Sequence, residues 1–248
     1  MTEQQSILIT GANSHIGKGL IKYFIEKGNV KLLLTSRSVN SDLSKLNSTS
    51  IKYIPGLDLL NNDNLATLRV EAKAFFNTPF SLIHSVGNFW HHVAFQETNL
   101  DEAKRVMDSH YATLYGVCHN LLPLMKETGG GRIIAFSCNS VNFNFPYMAA
   151  FTAAKASVES LIKCIAHEFA QNNIVANALA LSSIQTDAVK ASKPFGDYEH
   201  YISVKDLCVT TDEVLCMKSA IVNGNTINCY TFSETYYHQG YFERIKTK

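Results

Sequence analysis

Lys155, Cys138 and His110 are the side chains in this sequence best suited to holding or moving a proton. Lys155 follows Phe151 by four residues in a predicted helix, and Cys138 precedes Phe151 by thirteen. An imidazole titrates near neutral pH, and a thiol becomes reactive beside a cation such as lysine. Phe151 itself has no proton to give. Lys155, Cys138 and His110 are therefore candidates for acid–base chemistry by residue type.

Other interpretations of these residues remain open. His110 could be a buried helix histidine bonded to a backbone carbonyl, and Cys138 could be a small core side chain at a strand end. Either Ser137 or Ser140 could supply a hydroxyl if the strand shifts register, and Tyr147 could bring a phenol into the pocket. Lys155 could act as a base if burial lowers its pKa.

A second group of residues forms a glycine turn near the N-terminus. Residues 7–17 read as a buried strand, a glycine turn and the start of a helix, with glycine at 11 and 17. Backbone N–H groups and the helix dipole favour a diphosphate at such a turn. His15 stands between the glycines, where it adds bulk or donates a ring N–H to a phosphate. The turn residues predicted to contact a nucleotide are Gly11, Asn13, Ser14, His15, Ile16 and Gly17.

The end of the second predicted strand indicates which nucleotide is bound. Ser36 and Arg37 offer a hydroxyl and a guanidinium, a pair suited to a 2′-phosphate. A site for NAD would place an acidic residue here to hold the ribose 2′-hydroxyl. The sequence therefore favours NADP over NAD, although Arg37 could also be an ordinary exposed loop residue.

Strand and helix patterns alternate along the chain, which predicts βαβ units and a parallel sheet. The predicted strands are 6–10, 31–36, 51–54, 80–84, 132–137, 174–181 and 226–232. The predicted helices are 16–27, 62–76, 100–126 and 152–171. The predicted fold is α/β, a Rossmann-type doubly wound parallel sheet in a single domain over residues 1–248. Residues 190–211 carry no strand pattern and are predicted to be irregular.

The glycine turn and the segment from Phe151 to Lys155 together resemble the short-chain dehydrogenase/reductase family, in its single-domain 3-oxoacyl-carrier-protein-reductase-like branch. Members carry TGxxxGxG at the start and YxxxK near this depth, and the resemblance covers nearly the whole chain. It implies that Phe151 replaces the catalytic tyrosine, while Lys155 would hold the nicotinamide ribose. It places Cys138 at the family's catalytic serine position. It places His110 at the family's asparagine position, to within one residue.

The resemblance also implies further cofactor contacts and a lid. In the family, an acidic residue after the third strand holds the adenine edge, and a threonine after the sixth holds the nicotinamide carboxamide. Residues 84–87 replace the family's NNAG, and residues 190–211 match a substrate-covering lid. The residues placed at these contacts are Asp58, Leu59, Ser85, Val86, Gly87, Ile184 and Thr186.

Composition excludes several function classes. The 248 residues carry a net charge of +1 without a basic cluster, which argues against nucleic acid and membrane surfaces as partners. No apolar run approaches the roughly 20 residues that span a bilayer, and the polar N-terminus lacks a signal peptide pattern. The six cysteines have no metal-site or disulfide spacing and are predicted to be buried free thiols. The prediction is a cytoplasmic protein without a metal.

The two long predicted helices suggest an oligomer. The second carries apolar residues on more than one face, and such a helix must bury a second surface. Its apolar residues are Val158, Leu161, Ile162, Ile165 and Phe169. Family members pair through these helices, so a homodimer or homotetramer is predicted, with a hetero-oligomer with a paralogue as the alternative.

Two functions fit the sequence. The first is an NADP-binding oxidoreductase with a rebuilt acid, acting on an activated carbonyl, enone or imine. The second is a catalytically silent subunit or binding protein that assembles with an active paralogue. The aromatic run at residues 143–147 suggests a small apolar or carrier-bound substrate in either case.

Overall fold

A seven-stranded parallel sheet forms the centre of the molecule. The computed structural model describes residues 4–88, 92–192, 198 and 201–230. The sheet order is β3-β2-β1-β4-β5-β6-β7, and every pairing is parallel. The order in which strands are added to the sheet reverses between β1 and β4, so the carboxyl ends of these two strands form the crevice where open α/β sheets bind ligands. The predicted fold class is confirmed.

The strands are short and mostly apolar, as expected for a sheet covered on both faces. Their bounds are β1 Gln5–Thr10, β2 Val30–Ser36, β3 Ile51–Pro55, β4 Ser81–His84, β5 Gly131–Cys138, β6 Ile174–Leu181 and β7 Thr226–Cys229. Each observed strand begins within two residues of its predicted start. The predicted last strand ended at 232, and residues 231–232 lie outside the described part.

Helices cover both faces of the sheet. They are α1 His15–Lys27, α2 Ser41–Ser44, α3 Asn62–Phe75, α4 Leu100–Met107, α5 Thr113–Glu127, α6 Ser140–Phe143, α7 Ala149–Glu168, α8 Asp187–Ser192 and α9 Val204–Cys216. One buried cluster packs α3, α5 and α7 on one face, and another packs α1 and α9 on the other. Within the described ranges, no helix is both long and apolar enough to cross a membrane.

The helix predicted at 100–126 is not continuous. A π-helical turn, Asp108–Ala112, separates α4 from α5 and contains His110. Such turns insert an extra residue into a helix and occur often at functional sites. The sequence periodicity does not reveal this insertion, because one extra residue shifts the apolar pattern by less than a third of a turn.

The region predicted to be an irregular lid is largely helical where it is described. Its first residues belong to α8, and residues from Val204 onward belong to α9. Ser203 caps α9 by accepting a hydrogen bond from the N–H of Asp206 at 3.0 Å. Leu207 and Cys208 are buried in the core cluster that contains α1. The prediction was therefore wrong for residues 204–211, which form part of a core helix; residues 193–197 and 199–200 lie outside the described part.

The structure corrects two other expectations. Val158, Ile162 and Ile165 of α7 are buried in the chain's own core, and Leu161 and Phe169 pack against that core. These five residues are therefore covered by the chain itself and need no second subunit, so this argument for an oligomer fails.

The cysteines are free, but they are not uniformly buried. Cys118 and Cys208 are buried, whereas Cys164 and Cys216 are exposed. The prediction of burial is therefore wrong for Cys164 and Cys216, because both lie on the outer sides of helices.

Candidate functional site

The glycine turn follows β1 and leads into α1. Gly11 has a φ of +73°, and a Cβ there would lie 2.6 Å from the carbonyl oxygen of Ser85. Ser14 caps α1, since its Oγ accepts a hydrogen bond from the N–H of Gly17 at 2.9 Å. A Cβ at Gly17 would collide with the carbonyl oxygen of Gly11. Both glycines are thus required by the close packing of the turn.

Three N–H groups of this turn are available to a ligand. Within the described part of the chain, those of Asn13, His15 and Ile16 donate no hydrogen bond. Ile16 itself packs partly against the apolar core on this face of the sheet. Free N–H groups at a helix N-terminus fit an anion such as a diphosphate.

His15 reaches away from the turn to the opposite side of the crevice. Its Nδ1 lies 3.3 Å from Oδ2 of Asp187, the first residue of α8. Of the two other residues predicted near this segment, Ile184 pairs with Ile202 in a β-bridge. Thr186 Oγ1 accepts a hydrogen bond from the N–H of Val189 at 3.2 Å, and so stabilises α8.

The end of β2 differs from the sequence prediction. Ser36 is buried, and its hydroxyl lies 2.6 Å from the hydroxyl of Tyr53 and donates to the carbonyl oxygen of Ser38 at 2.7 Å. This hydroxyl is therefore committed to the turn and does not face a phosphate. Arg37 is exposed and makes no ion pair within the described residues. Ser38 is the exposed hydroxyl of this turn, and Asn13 Nδ2 donates to it at 2.9 Å.

One cavity of about 370 Å³ brings seven of the sixteen predicted nucleotide contacts together. Seven predicted residues line it: Ser14, Arg37, Asp58, Leu59, Ser85, Val86 and Gly87. The opposite wall was not predicted and comes from α4 and the π-helical turn: Asp101, Lys104, Arg105, Asp108 and Ser109. The sequence carried no signal for this wall, because its position depends on the π-helical turn.

The loss of the asparagines in the family's NNAG segment does not leave β4 unbraced. His84 lies between two hydroxyls, with Nδ1 2.9 Å from Thr10 Oγ1 and Nε2 3.3 Å from Thr113 Oγ1. Ser85 Oγ donates to the carbonyl oxygen of Thr10 at 2.7 Å. Burial, and then the charge of Lys155, lowers the pKa of His84 to about 3. A neutral His84 therefore links β1, β4 and α5.

His110 lies at the site, but in the wrong protonation state for an imidazolium acid. Burial, and then the Lys155 charge, lowers its pKa to about 2, although the nearby main chain of Asn88 opposes this shift. Neither ring nitrogen makes a hydrogen bond of normal geometry to the described residues. Its ring packs edge-on against Phe151, with centroids 5.2 Å apart. A Cβ at Gly87 would collide with this ring, so glycine there makes room for histidine.

Lys155 is the buried cation of the site. Its Nζ donates to the carbonyl oxygen of Phe136 at 2.8 Å and lies 5.6 Å from the centroid of the Phe151 ring. Burial lowers the pKa of Lys155 to about 8, and the charges of Cys138 and Glu159 oppose this shift. Lys155 therefore changes its charge close to physiological pH.

The two other predicted donors differ in their availability. Ser137 is buried and donates to Glu159 Oε1 at 2.5 Å, so it does not face the crevice. Successive strand residues point to opposite faces of a sheet, so Cys138 lies on the face opposite to Ser137. The Cys138 thiol is half-buried at the end of β5, where it lies 3.4 Å from Asn139 Oδ1.

Glu159 is a buried residue that the sequence analysis missed. Its Oε2 accepts a hydrogen bond from Thr226 Oγ1 at 3.0 Å, in addition to the bond from Ser137. It lies one helical turn after Lys155, so two opposite charges are buried on the same side of α7. A carboxylate between the apolar residues Val158 and Ile162 was the signal that could have revealed it.

The residues present fit a nicotinamide dinucleotide. Free N–H groups face the diphosphate position, Arg37 stands in the cavity near Ser14, and Lys155 lies further along the same edge. Position 151 carries no phenol; Lys155 and Cys138 are two side chains at this end that can hold or move a proton, and the phenol of Tyr147 is 58% exposed.

Comparisons with known proteins agree with this geometry. The family model described as short chain dehydrogenase matches residues 5–195, more than half of the chain. The mouse protein dehydrogenase/reductase SDR family member 7B is 25% identical over 189 residues, which are 73% of this chain and 58% of the mouse protein. Acetoacetyl-CoA reductase of an Acinetobacter strain is 23% identical over 245 residues, 92% of this chain and 97% of that protein.

A solved structure shares the same fold. It is a tyrosine-to-phenylalanine variant of ElxO with NADPH bound, and it superposes with a TM-score of 0.80 at 20% identity. The superposition covers 91% of this chain and 96% of the ElxO chain.

Proposed function

Because this chain belongs to the short-chain dehydrogenase family, we propose that it is an NADP(H)-binding oxidoreductase that reduces an activated carbonyl, enone or imine. Its relatives are oxidoreductases, and one of them is an acetoacetyl-CoA reductase. We place it in the 3-oxoacyl-carrier-protein-reductase-like branch, with Phe151 at the tyrosine position. A small apolar or carrier-bound substrate suits the aromatic residues near the reacting end.

The cavity lined by seven predicted residues is the observation that best supports cofactor binding. NADP rather than NAD is favoured by Arg37, whose guanidinium has no carboxylate partner in the described residues. Ser38, rather than Ser36, is the hydroxyl next to it. The bound NADPH of the ElxO variant agrees with the choice of cofactor and with tolerance of a tyrosine-to-phenylalanine change in this fold.

Lys155 is the proposed proton donor. The reduced nicotinamide supplies a hydride, and the protein must supply the proton that completes the reduction. His110 is neutral at physiological pH and Ser137 is bound to Glu159, so neither is the proposed acid. A pKa near 8 leaves Lys155 mostly protonated at neutral pH and able to release a proton. An activated substrate needs less acid assistance than a simple ketone, which matches a donor without a phenol.

Calorimetric titration with NADPH and NADH tests the cofactor proposal. We expect tighter binding of NADPH, and we expect Arg37→Ala to remove most of the difference, because a charged pair with the 2′-phosphate is lost. Arg69→Ala is the matched control, since Arg69 is exposed on α3 outside the cavity. A wild-type chain that binds neither nucleotide would contradict the proposal.

A catalytically silent subunit or binding protein is the second candidate. It is favoured by the packing at the reacting end, where Phe151 joins Val106, Met107, Met148 and Ala154 in a small apolar cluster. In this reading the chain assembles with an active paralogue. An assay of the purified chain with NADPH and a panel of carbonyl, enone and imine substrates separates the two, because turnover by the chain alone excludes the silent role.

We also propose that the chain forms an oligomer, for a reason other than the apolar residues of α7 on which the sequence prediction was based. Tyr111 of the π-helical turn and Tyr115 and His119 of α5 pack successively in a ladder, in which Tyr115 is 49% exposed. We propose a homodimer or homotetramer that covers this ladder, in a cytoplasmic protein. Measurement of the mass in solution tests this proposal, and a monomer would contradict it.

A further inference from the structure

The contact between His15 and Asp187 spans the crevice of the sheet. His15 is the first residue of α1, directly after the turn that follows β1, and Asp187 follows β6, while β4 and β5 lie between those two strands. Three strand spacings separate β1 from β6, or about 14 Å at the usual spacing. The two side chains therefore meet above the carboxyl ends of the intervening strands, where a dinucleotide would run.

The His15 side chain lies beside donors that suit an anion. The free N–H groups of Asn13, His15 and Ile16 and the cavity residue Ser14 surround its base. In the present structure, its ring instead pairs with a carboxylate whose side chain is 89% exposed. An exposed pair of this kind is weak, so another anion can displace the carboxylate readily.

We propose that His15 is a ligand of the nucleotide diphosphate and that Asp187 competes with the diphosphate for it. A ring N–H that now donates to Asp187 would donate to a diphosphate oxygen when the nucleotide is bound. The Asp187 carboxylate would then be left exposed to solvent without this partner. This inference rests on the proposed cofactor binding and adds a recognition residue and its internal competitor.

The proposal makes opposite predictions for the two partners. Asp187→Asn removes the competing charge, so NADPH, NADH and ADP should each bind about two- to fivefold more tightly. His15→Ala removes the ligand, so all three should bind more weakly by a similar factor. The double variant should match His15→Ala, because Asp187 competes only through His15. A purely structural ion pair would not give opposite signs.

The test is calorimetric titration of the full chain and its variants. Glu213→Gln is the control for charge removal, since Glu213 is an exposed carboxylate on α9. As a ligand control, 2′-AMP has no diphosphate and its affinity should not change in either variant. The effects on NADPH should shrink at high salt, because the groups are exposed.

The outcomes separate this inference from the function on which it rests. A wild-type chain that binds none of NADPH, NADH and ADP would overturn both. Wild-type binding with unchanged affinity in both variants would overturn the inference alone, as would weaker binding in Asp187→Asn.

Discussion

The cofactor end and the reacting end of the crevice differ in how closely their residues match the family motifs that the sequence resembles. At the cofactor end, the strand, glycine turn and helix keep their geometry, and the cavity is open beside Arg37. At the reacting end, a benzyl ring stands four residues before Lys155, and His110 packs against that ring as a neutral side chain. Nucleotide recognition relies largely on backbone N–H groups, which survive side-chain changes. Proton transfer relies on particular side-chain atoms, and the benzyl ring at position 151 has no proton to give.

The same contrast applies to charge. The cofactor end exposes its ionic groups, whereas the reacting end buries Lys155 and Glu159 together. Buried charges respond strongly to pH and substitution, because desolvation is costly. Changes at the reacting end should therefore have the larger effects.

The largest expected effect is the loss of turnover in Lys155→Met. If Lys155 is the acid, the rate should fall by about 10²- to 10⁴-fold. Wild-type reduction should also slow as pH rises through about 8, because the ammonium form is lost there. Steady-state assays across pH 6–10 measure both effects. Lys163→Met, at an exposed position on α7, is the control; a full rate in Lys155→Met would exclude lysine as the donor.

The second effect is on stability in acid. The pKa of His110 is about 2 in the folded protein, below its ordinary value of 6.5, so the unfolded chain binds an extra proton between these values. Wild-type stability should therefore fall as pH drops below 6.5, by about 1.4 kcal/mol per pH unit from this residue. His110→Asn should remove that contribution, about 3 kcal/mol between pH 6 and 4.

Denaturant unfolding at several pH values measures this slope. The control is His119→Asn, because His119 is exposed on α5 and its replacement should leave the slope unchanged. An equal slope in wild type and His110→Asn would mean that His110 is already protonated in the folded protein.

The third effect concerns the cofactor end. Gly11→Ala should destabilise the protein by about 1–3 kcal/mol and weaken nucleotide binding, because its Cβ would press on the carbonyl oxygen of Ser85. Gly28→Ala is a close control: Gly28 has a φ of +75° but nothing within 4 Å of an added Cβ. Thermal unfolding and calorimetry measure both changes. If Gly11→Ala and Gly28→Ala lose equal stability, backbone strain alone accounts for the destabilisation.

The smallest effect is expected from Phe151→Tyr. A phenol beside Lys155 should restore only a small part of the roughly 10²- to 10⁴-fold that a general acid supplies, because His110 and Cys138 also differ from the family pattern. The rate of NADPH oxidation with a β-ketoacyl thioester measures the gain. Strong wild-type activity on this ketone that is insensitive to His110 and Cys138 would show that another group donates the proton.

Sequence patterns predicted the fold in detail because strand and helix periods and glycine turns are local. The seven strands and the helix after the glycine turn were all recognised from the order of residues. Residue positions relative to the family motif also placed Phe151, Lys155 and His110 near one another, as the ring contact between Phe151 and His110 bears out. The π-helical turn and α9 were missed, because each is stabilised by contacts with distant parts of the chain.

The sequence alone determined the parallel sheet, the glycine turn and the absence of a phenol at position 151, since these follow from residue type and spacing. Only the tertiary structure decided which side chains are available. Tyr53 takes up the hydroxyl of Ser36, Glu159 takes up that of Ser137, and Asp187 reaches His15 across the crevice. These pairs join residues far apart in sequence. Their partners and protonation states follow from burial and distance, which exist only once the sheet has brought its strand ends together.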